Sequence, residues 1–251
     1  MSAVETLSRI RVVLHRPSHP GNIGAAARAM KTMGLSCLVL VEPRRFPDPE
    51  ADTLSTGAVD VLRSARVVAS LDEALAGAAI AIAFSARPRD LSHEAMDARG
   101  AAQEAVSASV TAGAEVALVF GNETSGLANE DVLKCNRLAH IPADSAYSSL
   151  NLAAAVQVVS YEVRMAALSS TGTAREGAGS GPELAPLEDV ERLYEHFETS
   201  LRATGFLDPG KPKRLMERLR RLYGRARLER EEVNILRGML SAWDEQSRRK
   251  S

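Results

Sequence analysis

The chain has 251 residues, 45% hydrophobic and 25% charged, which is enough for one full-sized hydrophobic core and a smaller second unit. No apolar run reaches the roughly 18 residues of a membrane span, so we expect no transmembrane helix. The N-terminal residues lack a signal-peptide pattern, so we expect a cytoplasmic protein. The formal net charge of −1 excludes attraction of the whole molecule to a polyanion, so nucleic-acid binding would need a local basic patch.

The metal-binding residue types are sparse. Cys37 and Cys135 are the only cysteines, and the five histidines are scattered along the chain. Neither set has the spacing of a metal site, and two such cysteines are typical of reduced thiols. The sequence therefore predicts no metal ion.

Four short apolar runs rich in Val, Ile and Ala are each followed by a segment that favours a helix or a turn. This alternation predicts an α/β domain with a mostly parallel sheet. The four predicted strands are residues 10–14, 37–41, 78–84 and 115–120.

The segment between the first two predicted strands has helical spacing. Its apolar face comprises Ile23, Ala26, Ala27, Met30 and Met33. We expect Asn22 to cap the N-terminus of this helix and Gly34 to close its C-terminus. Arg28 follows Asn22 by nearly two helical turns and is predicted to point back toward the cap.

A second long helix is predicted from Ser149 to about Leu168, because its apolar residues cover a broad surface without Pro or Gly. The composition then changes to Gly, Ser, Thr and Pro, which is typical of a flexible linker. Beyond the linker, residues 187–204, 213–223 and 229–243 have helical spacing.

The predicted organisation therefore has three parts. A mostly parallel α/β domain covers residues 1–168, a linker covers 169–186, and a small α-helical domain covers 187–251.

Basic residues concentrate between residues 211 and 227, where Glu217 is the one acid. Such a stretch is typical either of a solvated helix face or of a phosphate-binding surface, and its composition leaves both interpretations open. The basic residues are Lys211, Lys213, Arg214, Arg218, Arg220, Arg221, Arg225 and Arg227.

The first polar loop, Gly21-Asn22-Ile23-Gly24, lies between a predicted strand and a helix, where glycines let backbone amides approach phosphate. Ala27 stands where a dinucleotide fingerprint has its third glycine. Glu42 ends the second strand and could hold a ribose, so an NAD-dependent oxidoreductase stays open as an alternative.

Two further loops are polar and follow apolar strands. Residues 120–127 come after the strongest strand signal, and residues 141–151 lead into the second long helix. Ligands of open α/β sheets bind at the carboxyl ends of strands. Three such loops in one domain predict a ligand site there.

The three loops resemble the three ordered motifs of the SpoU branch of the SPOUT RNA 2′-O-methyltransferases. The matching residues are Asn22-x-Gly24 with Arg28, Gly121-Asn122-Glu123 with Gly126-Leu127, and Ile141-Pro142 with Ser149-Leu150-Asn151-Leu152-Ala153. Residues 29–35, 161–165 and 234–240 extend the resemblance to the TrmJ type, which modifies the anticodon loop of tRNA.

The resemblance implies a fold and an assembly that periodicity does not predict. The sheet would carry a C-terminal trefoil knot that forms the pocket for S-adenosylmethionine (SAM). The enzyme would be a homodimer with its active site at the subunit interface. General folding rules make knots rare, so pattern alone predicts an unknotted sheet.

The resemblance also implies the site residues. The catalytic set is Arg28, Asn22, Ser149 and Asn151. The cofactor-binding set is Ser85, Ala86, Arg87, Gly121, Ile141, Ser148, Ser149 and Leu150. Phe84 departs from the family pattern, which has a small or hydroxyl residue before the Ser-Ala-Arg segment.

The implied reaction moves a methyl group from SAM to a ribose 2′-hydroxyl of tRNA, at cytidine or uridine 32 of the anticodon loop. We hypothesise that Arg28 stays cationic and stabilises the developing alkoxide. Neutralising a guanidinium of pKa about 13 at pH 7 would cost on the order of 8 kcal/mol. Glu123 is expected to anchor its own loop.

RNA binding would use arginines near the active face and the basic stretch, through phosphate contacts that give affinity without sequence choice. The predicted residues are Arg16, Arg87, Arg89, Lys211, Lys213, Arg214, Arg218 and Arg221. Two other functions stay open: a SpoU-type enzyme acting on ribosomal RNA, and a SAM- or nucleotide-binding regulator without catalysis.

Overall fold

A seven-stranded parallel sheet forms the centre of the molecule. The computed structural model describes residues 2–86, 95–144, 146–171, 183–210 and 213–250. The strands are β1 (Ile10–His15), β2 (Cys37–Val41), β3 (Arg66–Val68), β4 (Ile80–Phe84), β5 (Ala95–Asp97), β6 (Val116–Phe120) and β7 (Arg137–His140). Their order across the sheet is β3-β2-β1-β6-β4-β7-β5, and every pairing is parallel.

The predicted parallel sheet and its four strands are confirmed. Three shorter strands, β3, β5 and β7, were not predicted. β3 and β5 have three residues each and form the two edges of the sheet, where most of their side chains are exposed or half-buried. Such edge strands lack the apolar run that marks a buried parallel strand. β7 has four residues and begins with Arg137, so its apolar signal is also short.

Helices cover both faces of the sheet. In chain order they are α1 (Ala3–Ser8), α2 (Pro20–Thr32), α3 (Pro49–Ser55), α4 (Val59–Arg63), α5 (Leu71–Leu75), α6 (Ala98–Thr111), α7 (Asn129–Lys134) and α8 (Leu152–Thr171). Alternate strand residues enter two separate apolar clusters. One cluster packs under α2, α6 and α8, and the other packs under α5 and α7. This double covering explains the continuous apolar runs of the central strands.

Helix α2 begins before the predicted cap. Its N-cap is His19 and Pro20 occupies the first turn, so Asn22 lies inside the helix and the cap prediction is wrong. Proline favours the first helical position because its fixed φ suits the helix and it lacks the N–H that would stay unsatisfied. The C-terminal prediction is confirmed: Gly34 has φ +84° and its amide donates to the Lys31 carbonyl.

Helix α8 begins later and ends later than predicted. It starts at Leu152 instead of Ser149, and Asn151 precedes it as the cap, accepting hydrogen bonds from the amides of Ala153 at 2.9 Å and Ala154 at 3.4 Å. It continues to Thr171, three residues past the predicted domain boundary at 168.

The predicted linker, 169–186, is also structured at its far end. Residues 172–182 lie outside the described residues. Further on, the amide of Ala185 donates to the Leu228 carbonyl at 2.9 Å, and the amide of Arg230 donates to the Glu183 carbonyl at 3.0 Å. Residues 183–186 therefore belong with the C-terminal helices.

The small C-terminal helical unit is confirmed. It consists of α9 (Leu187–Ala203), α10 (Leu215–Ala226) and α11 (Arg230–Lys250). Its own apolar core comprises Ala185, Leu193, Tyr194, Phe197, Val233 and Leu240. No helix of the described residues is long and apolar enough to cross a membrane.

Candidate active site

A cavity of about 830 Å³, open to solvent, lies at the carboxyl ends of β4 and β6 and just beyond β7. The predicted cofactor residues that the structure describes all line it: Ser85, Ala86, Gly121, Ile141, Ser148, Ser149 and Leu150. Arg87 lies outside the described residues. The cofactor contacts themselves stay a prediction.

The cavity combines an apolar wall with a polar rim. Phe84 and Phe120 end neighbouring strands in register, and their rings stack with centroids 4.8 Å apart. Ser85, Ser148 and Ser149 bring hydroxyl groups to the same cavity. An apolar wall beside hydroxyls and backbone amides fits a nucleoside with a polar tail, which is the chemistry of SAM.

Gly121 is required by the shape of its own loop. A Cβ at this position would lie 2.2 Å from the carbonyl carbon of Gly126 and 2.3 Å from the amide nitrogen of Leu127. The loop turns back on itself there, because the Gly126 amide donates to the Asn122 carbonyl at 2.8 Å. Any side chain at 121 would therefore displace backbone atoms that form the cavity wall.

Glu123 binds the segment before α2 rather than only its own loop. One carboxylate oxygen accepts from the amide of Ser18 at 2.8 Å and from its hydroxyl at 2.7 Å. The other accepts from the amide of His19 at 3.1 Å and from Nδ2 of Asn22 at 3.0 Å. Burial raises the pKa of this carboxyl, but the hydrogen bonds from Asn22 and Ser18 outweigh it and lower the pKa to about 2.

These contacts fix the orientation of two amide side chains. An ionised Glu123 can only accept, so Asn22 presents its NH2 group to it and its oxygen to Asn151. Nδ2 of Asn151 donates to that oxygen at 2.9 Å, which leaves the Asn151 oxygen to cap α8. The three motif loops are thus joined by one directional chain of hydrogen bonds. This geometry supports a positioning role for Asn22 and Asn151, whose predicted catalytic role stays a prediction.

Ser18 also binds Glu123 and was not predicted from the sequence. Its signal was a hydroxyl residue just before a predicted helix, which is a common feature of helix starts. The identity of its partner, 105 residues away, has no local signal.

Arg28 does not line the cavity of its own chain. It lies on the exposed side of α2, and its Nη1 is 3.5 Å from Oγ1 of Thr56, the limit of a hydrogen bond. The expectation that it points back toward the cap is therefore wrong within one subunit. α3, which ends at Ser55, brings Thr56 to this face of α2.

Gly24 explains why α3 lies so close to α2. A Cβ on Gly24 would be 2.1 Å from the carbonyl oxygen of Ala51, so the two helices cross with their backbones in contact. The Cβ side of Gly24 is therefore covered by α3 and leaves no room there for a phosphate. Glu42, the residue considered for a ribose, instead accepts from Nε of Arg16 at 2.8 Å.

The predicted RNA-binding residues fall into different surroundings. Arg16 is exposed and paired with Glu42, which raises the pKa of its guanidinium through a hydrogen bond. Arg87, Arg89 and Lys211 lie outside the described residues. Lys213 and Arg214 are exposed just before α10.

The basic residues from Arg218 to Arg227 divide into an exposed group and a paired group. Arg218, Arg221 and Arg225 are exposed and form no salt bridge with any described residue. Arg220 and Arg227 instead form salt bridges with Glu191 and Glu104. A charge count along the sequence could not separate these two groups.

Within the described parts of the chain, no group of three or more His, Cys, Asp or Glu side chains is arranged to hold a metal ion.

Comparison with known proteins identifies the family. The SpoU rRNA Methylase family matches residues 9–161, and the C-terminal domain of the tRNA methyltransferase TrmJ matches residues 188–251. The chain is 51% identical to the tRNA (cytidine/uridine/adenosine-2′-O-)-methyltransferase TrmJ of Pseudomonas aeruginosa, over 94% of this chain and 93% of that protein. It is 46% identical to the tRNA (cytidine/uridine-2′-O-)-methyltransferase TrmJ of Escherichia coli, over 96% of this chain and 98% of that protein.

Solved structures agree with this result. The crystal structure of TrmJ from Z. mobilis aligns with a TM-score of 0.79 and 33% identity, over 93% of this chain and 98% of that chain. The SpoU methyltransferase AviRb from Streptomyces viridochromogenes, in complex with the cofactor AdoMet, aligns with a TM-score of 0.50 and 26% identity, over 63% of this chain and 60% of that chain. With its motif loops, its parallel sheet and matches along nearly its whole length, the chain belongs to the SpoU rRNA methylase family.

Proposed function

We propose that this chain transfers a methyl group from SAM to a ribose 2′-hydroxyl of tRNA, at cytidine or uridine 32 of the anticodon loop. The observation that carries this proposal is the cavity at the carboxyl edge of the sheet, which the second and third motif loops line and to which the first is joined through Asn22. The reaction and the RNA class are those named for the TrmJ relatives, and the C-terminal helical unit matches the TrmJ domain. That domain favours tRNA over the alternative of ribosomal RNA.

SAM supplies an electrophilic methyl group on a sulfonium when it is bound. The residues proposed to hold it are those that line the cavity. Ser148 and Ser149 offer hydroxyls, Gly121 and Leu150 offer backbone groups, and Phe84 with Phe120 forms the apolar wall. Arg87 stays in the proposed set on the resemblance alone.

The 2′-hydroxyl is a weak nucleophile, because its proton leaves only well above neutral pH. Positioning and electrostatics must therefore supply most of the rate. We propose that Arg28 remains cationic and stabilises the alkoxide as it forms. The chain from Glu123 through Asn22 to Asn151 holds the loops around the target nucleotide.

A homodimer would complete this site. Arg28 lies on the exposed face of α2, outside the cavity of its own chain, so a second subunit against this face would bring a guanidinium and a cavity together. Exposed apolar side chains on α8 support such a contact, since Tyr161 and Met165, one turn apart, are 49% and 43% exposed. Family membership supports a trefoil knot around the cavity, and a tRNA substrate supports a cytoplasmic location.

RNA binding is proposed for the free basic face of α10. Arg218, Arg221 and Arg225 can contact phosphates without first breaking a salt bridge to a described residue. Lys213 and Arg214 lie just before this helix, and Arg16 directly follows β1. Lys211, Arg87 and Arg89 stay in the proposed set on the sequence alone. Arg16 would have to exchange Glu42 for a phosphate.

Methyl transfer from labelled SAM tests the reaction directly. The substrates are an unmodified tRNA transcript, the same tRNA with a 2′-deoxy target nucleotide, and a ribosomal RNA transcript. We expect label in the first alone. Equal labelling of the first two would show that ribose is not the acceptor.

The role of Arg28 is tested by single-turnover rates. We expect Arg28→Ala to lower the methyl-transfer rate about 10²–10³-fold, the usual effect of losing one charge-stabilising donor. Arg99→Ala, which removes an exposed arginine paired with Glu162, is the control and should keep most of the rate. A wild-type rate for Arg28→Ala would refute this role.

A further inference from the structure

The helical unit rests on the edge of the sheet opposite the cavity. The amide of Leu187, at the start of α9, donates to the carbonyl of Ala78 at 2.9 Å, just before β4. The amide of Gly77 donates to Oε2 of Glu188 at 2.8 Å. The cavity lies at the other ends of these strands, and five-residue β4 is about 16 Å long.

Arg137, the first residue of β7, caps α10 from outside the helical unit. Its side chain is 9% exposed, and its Nη1 donates to the Gly224 carbonyl at 2.6 Å. Gly224 lies in the last turn of α10, where carbonyls lack helical partners and the helix dipole favours a cation. A cation of the α/β domain thus satisfies the end of the basic helix.

Glu104 of α6 joins the two units through two arginines. Its Oε1 accepts from Nε of Arg137 at 2.7 Å and also from Arg227, which follows α10. Both side chains of the Arg137 pair are about nine-tenths buried, so water screens this pair little, whereas Arg227 is half-exposed. Docking therefore uses one acid of the α/β domain, Glu104, and one acid of the helical unit, Glu188.

Docking determines which side of α10 stays free. Gly224 and Arg227 face the α/β domain, and Arg218, Arg221 and Arg225 remain exposed. We propose that Glu104, Arg137 and Glu188 are positioning residues for tRNA, which hold the free basic face of α10 at a fixed place relative to the cavity. A surface fixed in advance binds more tightly, because less ordering accompanies association. This inference rests on the proposed binding of tRNA by α10.

Direct electrostatics and a positioning role predict opposite changes in tRNA binding. Glu104→Ala and Glu188→Ala each remove a negative charge, so direct electrostatics predicts tighter binding of a polyanion. A positioning role predicts weaker binding. We expect the KM for tRNA to rise about tenfold, because part of the binding free energy must then order the helical unit. The turnover at saturating tRNA and the Kd for SAM should not change.

Two matched variants accompany this measurement. Glu198→Ala removes an acid that is paired with Arg202 within α9, so it makes the same charge change without touching the docking contacts. It should leave the KM for tRNA unchanged or lower it. Glu104→Gln keeps an oxygen acceptor for Arg137 and should restore part of the affinity that Glu104→Ala loses.

Small-angle X-ray scattering of the full chain measures docking itself. We expect a larger radius of gyration for Glu104→Ala than for the wild type. Wild-type or tighter tRNA binding by both Glu104→Ala and Glu188→Ala would overturn the proposal, and so would an unchanged radius of gyration. If Arg218→Ala with Arg221→Ala leaves the KM for tRNA unchanged, the proposed RNA surface fails instead.

Discussion

The carboxyl ends and the amino ends of the strands, named here the carboxyl edge and the amino edge, are stabilised by different chemistry. At the carboxyl edge, the Glu123 carboxylate and two amide side chains form a chain in which each donor determines the next acceptor. At the amino edge, Arg137 and Glu104 of the α/β domain bind the Gly224 carbonyl and Arg227 of the helical unit. An amide side chain has one donor end and one acceptor end, whereas a guanidinium has only donors and can bind several acceptors at once, as Arg137 does. The carboxyl edge is therefore built for orientation and the amino edge for attachment.

The same substitution at the two edges should give the largest contrast. Gly121→Ala puts a methyl group 2.2 Å from a backbone carbon, whereas Gly77→Ala, at φ +77°, has no atom of the described residues within 4 Å. We expect Gly121→Ala to lower the free energy of unfolding by about 3 kcal/mol or more. Gly77→Ala should cost about 1 kcal/mol, from its left-handed backbone alone. Urea unfolding of both variants measures this, and similar losses would contradict the steric argument.

Removing the charge of Glu123 should have the next largest effect on the free energy of unfolding. Glu123→Gln removes a charged acceptor of several hydrogen bonds, and we expect it to cost about 2 kcal/mol at pH 7. The pKa of Glu123 is lowered from 4.5 to about 2, so its contribution is present above pH 4.5 and is lost as the pH falls toward 2. Unfolding of both proteins from pH 7 to about pH 3 should show the gap closing. A gap that widens on acidification would show that this carboxylate does not stabilise the loops.

Replacing His15, the last residue of β1 at the carboxyl edge, should have the smallest effect on stability. Burial lowers its pKa from 6.5, while Asp131, 3.5 Å away, raises it less. The unfolded state therefore takes up this proton more readily, and stability falls as the pH drops below 6.5. We expect His15→Gln to remove about 1 kcal/mol of the stability change between pH 7 and pH 5.5. Identical pH profiles for the variant and the wild type would count against a buried neutral His15.

Sequence patterns predicted the carboxyl edge better than the amino edge. The motif loops pointed to Glu123, Asn22 and Asn151, although their mutual bonds join residues 101 and 129 positions apart and had no local signal. The resemblance thus named the residues that these hydrogen bonds join, without saying which one bonds to which. Arg28 shows the limit of such reasoning, since helical spacing gives a face of α2 but not what lies against it.

The sequence contains almost no pattern that predicts the contacts at the amino edge. Arg137 begins a short apolar strand, and a charge in such a place needs a partner, but nothing local names Glu104 or the end of α10. β3 and β5 were missed for a related reason. Short edge strands owe their conformation to a neighbouring strand, which local pattern does not report.

The external cap on α10 affects how this protein can be divided into fragments. In a fragment of residues 183–251, the carbonyl of Gly224 would face water, and the cation that opposes the helix dipole would be gone. The last turn of the arginine-rich helix would fray first. RNA affinities measured on such a fragment would then understate what the same arginines achieve in the intact chain.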